Sequence, residues 1–225
     1  YSWRHDLTEF TDLRAVNLEL AKALAAERGR EHLHVAGRDS AKSVNDSARA
    51  EHFTFLTAQV INSTAHKERN YITLDRGSLD GVRPDLGVIG VNGIVGIVRD
   101  VSPHFSLVTS VLGNELKTRV ELTRTSHFGL LKWDTGDPAT ASVVDVAKYV
   151  QVQVGEPVVT AGGDGVFPHG VPVGTVVAVN DDPGSNFHDI RVHLGEDLGR
   201  SAYVHVVVDL MKSERDTLEA KAPQP

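Results

Sequence analysis

A glycine-rich stretch at residues 158–174, VVTAGGDGVFPHGVPVG, is the first candidate for a binding or catalytic site in this chain. Five glycines surround Asp164, and a glycine-rich loop can cradle a phosphate when its N–H groups point at the anion. The stretch has no lysine for a G-x-x-x-x-G-K-[ST] loop, and the β-branched run after it opposes the helix that a dinucleotide-binding fingerprint enters. We therefore predict two strands joined by glycine turns.

Metal, cofactor and nucleic-acid sites are also disfavoured. The chain has eleven histidines, yet no H-E-x-x-H occurs, and His32 and His34 are spaced poorly for a helical site. The absence of cysteine excludes disulfides, thiolate catalysis and cysteine zinc sites. The net charge is −7 and no basic patch stands out, so no nucleic-acid partner is expected. We predict no metal and no cofactor.

Hydrolysis by a serine triad is the main enzymatic alternative. Histidine, aspartate and serine are abundant, but neither G-x-S-x-G nor G-D-S-G is present, and the obvious turn carries Asp164 in place of a serine. We predict a protein that is not an enzyme. A chymotrypsin-like two-barrel hydrolase stays open as one alternative. A β-rich carbohydrate- or peptide-binding module is another, although only Trp3 and Trp133 offer indole rings.

The N-terminal residues 1–35 are rich in helix-forming residues, and apolar positions recur at alternating steps of three and four. This heptad pattern predicts a coiled-coil helix that forms a homodimer, with an amphipathic helix lying on its own domain as the alternative. Asn17 falls at an a position, where a buried amide fixes register. The predicted dimerisation seam is Phe10, Leu13, Asn17, Leu20 and Leu24.

After a polar linker at 36–56 the pattern becomes that of strands. Period-two alternation, as in DIRVHL at 189–194, indicates half-buried antiparallel strands, and turn signals separate about a dozen of them. That number exceeds one small barrel, so the sequence predicts a mainly β protein with two small antiparallel β-barrels. We expect the first approximately at 57–121 and the second approximately at 122–210, with C-terminal strands free to return to the first. Residues 211–225 are expected to be a flexible tail.

Four stretches, in the right order along the chain, carry a resemblance to a known family. They are AQVINST (58–64), the run NYITLDRG…TSVL (70–112), FGLLKW (128–133) and VQVGEPVVTAGGDGVFPHGVPVGTVVAV (152–179). Together they resemble the MreC family of bacterial rod shape-determining proteins. The turn reads TAGG where that family usually has TSG. The residues that keep the family pattern in the last stretch are Gly155, Val158, Val159, Thr160, Phe167, Pro168, Gly170, Val173, Gly174 and Val176.

The resemblance implies a function that the residue patterns do not give by themselves. MreC-like proteins are non-catalytic scaffolds of the machinery that inserts lateral-wall peptidoglycan and maintains rod shape. It implies a periplasmic location, with anchoring in the inner membrane by one helix upstream of these residues. It also implies dimerisation, with further assembly of the dimers, and three partners: the elongation-specific class B penicillin-binding transpeptidase, MreD, and the actin-like MreB system.

Overall fold

A computed structural model describes residues 20, 23, 52–65, 67–134, 136–180 and 184–221. Within these residues the chain forms twelve strands followed by one α-helix, and a short 3-10 helix at Ser78–Asp80 lies between the second and third strands. The elements are β1 Phe53–Ser63, β2 Tyr71–Leu74, β3 Gly87–Ile89, β4 Ile94–Val101, β5 Ser106–Ser110, β6 Thr118–Leu122, β7 His127–Lys132, β8 Thr140–Ala147, β9 Pro157–Thr160, β10 Pro172–Asn180, β11 Phe187–Leu194, β12 Tyr203–Asp209 and α1 Lys212–Glu219.

The strands close into two six-stranded barrels, which confirms the predicted mainly β, two-barrel class. The first barrel has the ring order β1-β12-β3-β4-β5-β2, and the second has β10-β11-β8-β7-β6-β9. Neighbouring strands pair antiparallel around both rings. In β11 the alternating side chains of Ile190, Val192 and Leu194 are buried, as the period-two pattern requires. Closure leaves each barrel without a long open edge.

The boundaries between the units differ from the expected ranges 57–121 and 122–210. Strand β6 belongs to the second barrel, so that barrel begins before residue 122. Strand β12 returns to the first barrel, a return that the sequence had left open, and pairs there with β1 from Phe53↔Asp209 to Gln59↔Tyr203. Strand β1 begins at Phe53, inside the linker expected at 36–56. Residues 36–51 of that linker lie outside the residues that the structure describes. Alternation identifies a strand but does not say which sheet the strand joins, and this accounts for the difference.

The expected flexible tail is wrong for residues 212–219, which form α1. Lysine, glutamate, arginine and leucine favour a helix here, and glycine and proline are absent until residue 223. Asp209 anchors the start of the helix, since its Oδ1 accepts the Met211 N–H at 2.9 Å. In the part of the chain that the structure describes, no helix is long and apolar enough to cross a bilayer.

Candidate functional site

The glycine-rich stretch connects β9 to β10, and Thr160 holds its two ends together. The buried Thr160 hydroxyl donates to the Pro168 carbonyl oxygen at 2.5 Å and accepts the Val171 N–H at 3.0 Å. The Thr160 carbonyl oxygen accepts the Gly170 N–H at 3.0 Å. A strand rather than a helix follows the loop, because β10 begins at Pro172. The loop therefore has no helix N-terminus with which to bind a phosphate.

The turn inside this loop uses Asp164 for its own geometry. One carboxylate oxygen, Oδ1, accepts the Val166 N–H at 2.9 Å and the Phe167 N–H at 3.3 Å. The neighbouring Gly163 and Gly165 have φ of +85° and +70°, a region that residues with a Cβ rarely adopt. Asp164 is thus a turn-forming residue, and the glycines allow the chain to reverse around it.

Phe167 leaves the loop and packs between the two barrels. Its side chain is 1% exposed. Across from it lies Gly87, the first residue of β3 in the first barrel, and a Cβ added there would lie 2.8 Å from the Phe167 ring and overlap the Val166 carbonyl oxygen. This contact requires glycine at position 87. It joins the connection from β9 to β10 at 161–171, which we call the signature loop, to β3 in the wall of the first barrel.

Glu196 makes a second connection between the barrels. It lies in the crossover from β11 to β12 and is only 8% exposed. Its Oε2 accepts the Asn92 N–H at 2.7 Å, in the turn between β3 and β4, and its Oε1 accepts the Ser201 hydroxyl. A Cβ added at Gly90 would overlap the Glu196 carboxylate. A buried carboxylate is costly unless such donors satisfy it, so these bonds fix the crossover against the first barrel.

A third connection comes from α1. Arg215 Nη2 lies 3.3 Å from Oδ2 of the buried Asp209, at the end of β12. The same guanidinium lies against the backbone of Gly165, where an added Cβ would overlap Nη2. Arg215 therefore bridges the end of the first barrel and the signature loop of the second.

The residues of the predicted barrel signature are mostly interior. Val158, Thr160, Phe167, Pro168 and Val173 are buried, and so is Val176. Val159 is half-buried in β9, and Gly155 takes φ +89° in the turn before that strand. At Gly174 an added Cβ would lie 2.9 Å from the Val192 side chain on β11. These residues build the second barrel and its junction, rather than an exposed reactive surface.

The predicted coiled-coil seam lies almost entirely outside the described residues. Phe10, Leu13, Asn17 and Leu24 are not described. Leu20 is helical and 62% exposed, so its side chain is not packed against the barrels. Dimerisation through this seam stays a prediction.

A cleft of about 510 Å³ lies between the two barrels. Its lining residues are Lys67, Glu68, Asn114, Lys117, Lys132, Trp133, Asp134 and Gly136. Of the two acids in the lining, Asp134 makes the polar contacts. Its Oδ1 accepts the Ser142 hydroxyl at 2.7 Å and lies 3.9 Å from Arg191 Nη1, and its Oδ2 lies 2.9 Å from Lys132 Nζ. Burial alone would raise the pKa of Asp134, but the Ser142 hydrogen bond and the Lys132 and Arg191 charges together lower it.

The chemistry around this cleft does not resemble a hydrolase centre. Among the described residues, no histidine or serine lines the cleft, and no three metal-ligating side chains form a cluster. His169 lies elsewhere, 2.8 Å from Glu121, and the buried His205 lies 3.3 Å from Thr57. Trp133 is 6% exposed and donates its indole N–H to a backbone carbonyl, so it offers no open face for stacking a sugar.

Comparison with known proteins relates both barrels to one family. The family model described as "Rod shape-determining protein MreC, barrel core" matches residues 60–208, from β1 to β12. The cell shape-determining protein MreC of Listeria monocytogenes is 24% identical over 168 residues, which are 68% of this chain and 57% of that protein. The chain spans about half the length of the curated relatives it matches.

Solved structures agree with the fold. The crystal structure of MreC from Pseudomonas aeruginosa has a TM-score of 0.64 and 27% identity, covering 68% of this chain and 98% of that one. A complex between penicillin-binding protein PBP2 and MreC from Helicobacter pylori contains a chain with a TM-score of 0.57 and 15% identity, covering 70% of this chain and 98% of that one. At that identity the second likeness concerns the fold alone.

Proposed function

Because the chain belongs to the MreC family of rod shape-determining proteins, we propose that it is a non-enzymatic scaffold of the machinery that builds the lateral cell wall. The observation that carries this proposal is the extent of the family match. It covers residues 60–208, and therefore both barrels and the crossover that joins them. Shape determination is a property of the family, and the scaffold role is the specific mechanism proposed for this chain.

The junction supports a scaffold physically. Three separate contacts connect the barrels: Phe167 with Gly87, Glu196 with Asn92, and Arg215 with Asp209 and the signature loop. Barrels fixed in this way present surfaces from both units in one arrangement, and a partner that contacts both then loses less entropy on binding. A scaffold needs such fixed surfaces rather than a reactive cleft.

The partner that we propose is the class B penicillin-binding transpeptidase of elongation. The related Helicobacter pylori MreC is found in a complex with a penicillin-binding protein, which makes this class the first to test for this chain. We also propose that the chain dimerises through the seam in residues 1–35, that it works with MreD and the MreB system, and that it is periplasmic and anchored in the inner membrane by a helix upstream of these residues. Paired coils would raise the local concentration of barrels available to a partner.

The partner proposal is tested by affinity capture from detergent-solubilised membranes of the source bacterium. The chain, tagged at its C-terminus, should retain a penicillin-binding transpeptidase, identified by labelling with a fluorescent penicillin. A tagged β-barrel protein from outside this family, at the same concentration, is the control. Equal labelling in both samples would contradict the proposal.

The dimer proposal is tested separately by sedimentation. The chain should sediment as a dimer, and a version lacking residues 1–35 should sediment as a monomer. Replacing Asn17 with leucine should stabilise the association and loosen its register or stoichiometry. If the whole chain and the shortened chain both sedimented as monomers at high concentration, dimerisation through the predicted seam would be contradicted.

A further inference from the structure

The cleft between the barrels is assembled from three separate parts of the chain. Lys67 and Glu68 belong to the connection between β1 and β2 in the first barrel. Asn114 and Lys117 lie in the segment that joins the barrels. Lys132 ends β7 in the second barrel, and Trp133, Asp134 and Gly136 come after it. Neither barrel forms the cleft alone. Ligand sites occur preferentially at such boundaries between units, and about 510 Å³ lies within the usual range for a small-molecule site.

The charges lining this cleft oppose the charge of the whole chain. Three lysines face two acids there, whereas the chain carries a net charge of −7. One of the acids, Asp134, already bonds Ser142 and lies near two cations, so it has little remaining capacity to neutralise further charge. Within the described residues the ammonium groups of Lys67 and Lys117 form no ion pair. Two exposed cations and one exposed acid without an ion pair among the described residues, Glu68, therefore face the cleft, and these unpaired groups together carry a charge of +1.

From this geometry we infer that the cleft binds an anionic ligand, carrying carboxylate or phosphate groups and about the size of a disaccharide or a tripeptide. Ammonium groups bind both kinds of anion as point charges. The Asn114 side chain adds an amide N–H that can donate to a hydroxyl oxygen of a sugar or to a carbonyl oxygen of a peptide. The biological source that we assign, an anionic portion of a cell-wall precursor, rests on the proposed function. The cleft and its charge do not depend on that function.

A ligand in this position would contact both barrels together. It would therefore favour the arrangement of barrels in which Lys67 and Lys117 face the same volume, since a ligand stabilises the state that it binds better. The scaffold would then have its geometry reinforced when wall precursor is present.

Calorimetric titration of the purified chain with three probes tests the inference. The probes are inorganic pyrophosphate, a muramyl dipeptide that ends in a free glutamate carboxylate, and N,N′-diacetylchitobiose, which carries no charge. One or both anions should bind saturably and diacetylchitobiose should not. The bound anion identifies the group that is recognised: phosphate for pyrophosphate, carboxylate for the muramyl peptide. Binding should weaken between low and high salt, because exposed charges are screened.

Matched variants locate the binding in the cleft. Lys67→Gln and Lys117→Gln should each weaken binding of the anion about tenfold, the usual effect of losing one charge-assisted hydrogen bond. Lys221→Gln removes the same charge from an exposed residue after α1 and should leave the affinity unchanged. Thermal melts followed by circular dichroism should coincide for all three variants, because each residue is exposed.

Two results would overturn the inference. One is that neither pyrophosphate nor the muramyl dipeptide binds saturably. The other is equal affinity in the cleft variants and in Lys221→Gln. These titrations contain no transpeptidase, so their failure leaves transpeptidase capture unaffected, and failed capture leaves the anion titrations unaffected.

Discussion

Replacing Gly87 with alanine should loosen the junction between the barrels while leaving each barrel folded. The added Cβ would lie 2.8 Å from the Phe167 ring and overlap the Val166 carbonyl oxygen, so either the loop or β3 must move. Overpacking of this kind costs about 1–3 kcal/mol. With a midvalue of about 2 kcal/mol, a chain of this length should lose about 4–8 °C in melting temperature.

Two spectroscopic signals separate the barrels in this experiment. The chain has two tryptophans, so in a Trp3→Phe background the fluorescence reports only Trp133, which is buried in the second barrel. Far-ultraviolet circular dichroism reports both barrels. In the parent chain the two transitions should coincide, because coupled units unfold together. In Gly87→Ala they should separate as the midpoint falls.

The control for this variant is Gly199→Ala, since an added Cβ there meets only the Asp197 side chain, at 3.4 Å. It should melt within about 1 °C of the parent, as for a neutral surface change. If Gly87→Ala matched this control in midpoint and kept coincident transitions, the Phe167 contact would not couple the barrels.

Three further changes test other parts of the site. Glu196→Gln should lower the free energy of unfolding in urea by about 1–3 kcal/mol, because an amide has one oxygen and cannot accept both the Asn92 N–H and the Ser201 hydroxyl. Asp197→Asn, on the exposed side of the same crossover, is the control and should lower it by less than about 0.5 kcal/mol. Thr160→Val should speed hydrogen exchange across 161–171 and destabilise the chain by about 1–3 kcal/mol, since it leaves the buried N–H of Val171 without its acceptor. Unchanged exchange would contradict the role of the Thr160 hydroxyl in holding the two ends of the loop together. The pKa of Asp134 is lowered in the fold, so its contribution to stability is present above the ordinary value of 3.8 and is lost as pH falls through the lower folded pKa. Asp134→Asn should therefore remove part of the acid-side loss of stability below about pH 4, and identical acid-side curves for both chains would contradict this assignment.

The number and type of the strands could be read from the sequence, because alternation such as that of Ile190, Val192 and Leu194 arises from burial of one strand face. The closure of the rings could not. The sequence allowed C-terminal strands to return to the first barrel, but only the pairing of Phe53 with Asp209 and of Gln59 with Tyr203 identifies β12 as that strand. Such contacts join residues about 150 positions apart, and no local pattern records them.

The junction was visible in the sequence on one side only. The signature loop was prominent because turns need glycine, and Gly165 in fact takes φ +70°. No sequence motif marked Gly87, Glu196 or Arg215, the residues that complete the three contacts between the barrels. A repeat does lie near Gly87: DGVRP at 80–84 resembles DGVFP at 164–168, and Gly81 takes φ +89° in a matching left-handed turn. The repeat marks related turns in the two barrels, but it does not show that the barrels touch.

The scaffold role is tested most directly by the affinity of this chain for the purified extracytoplasmic part of the elongation transpeptidase from the same bacterium. The proposal predicts saturable binding, weakened in Gly87→Ala because the barrels no longer hold one arrangement, and unchanged in Gly199→Ala. Absence of saturable binding to the parent chain would contradict the scaffold role that we propose. Equal binding by parent and Gly87→Ala would show that the partner does not read the two barrels as one unit.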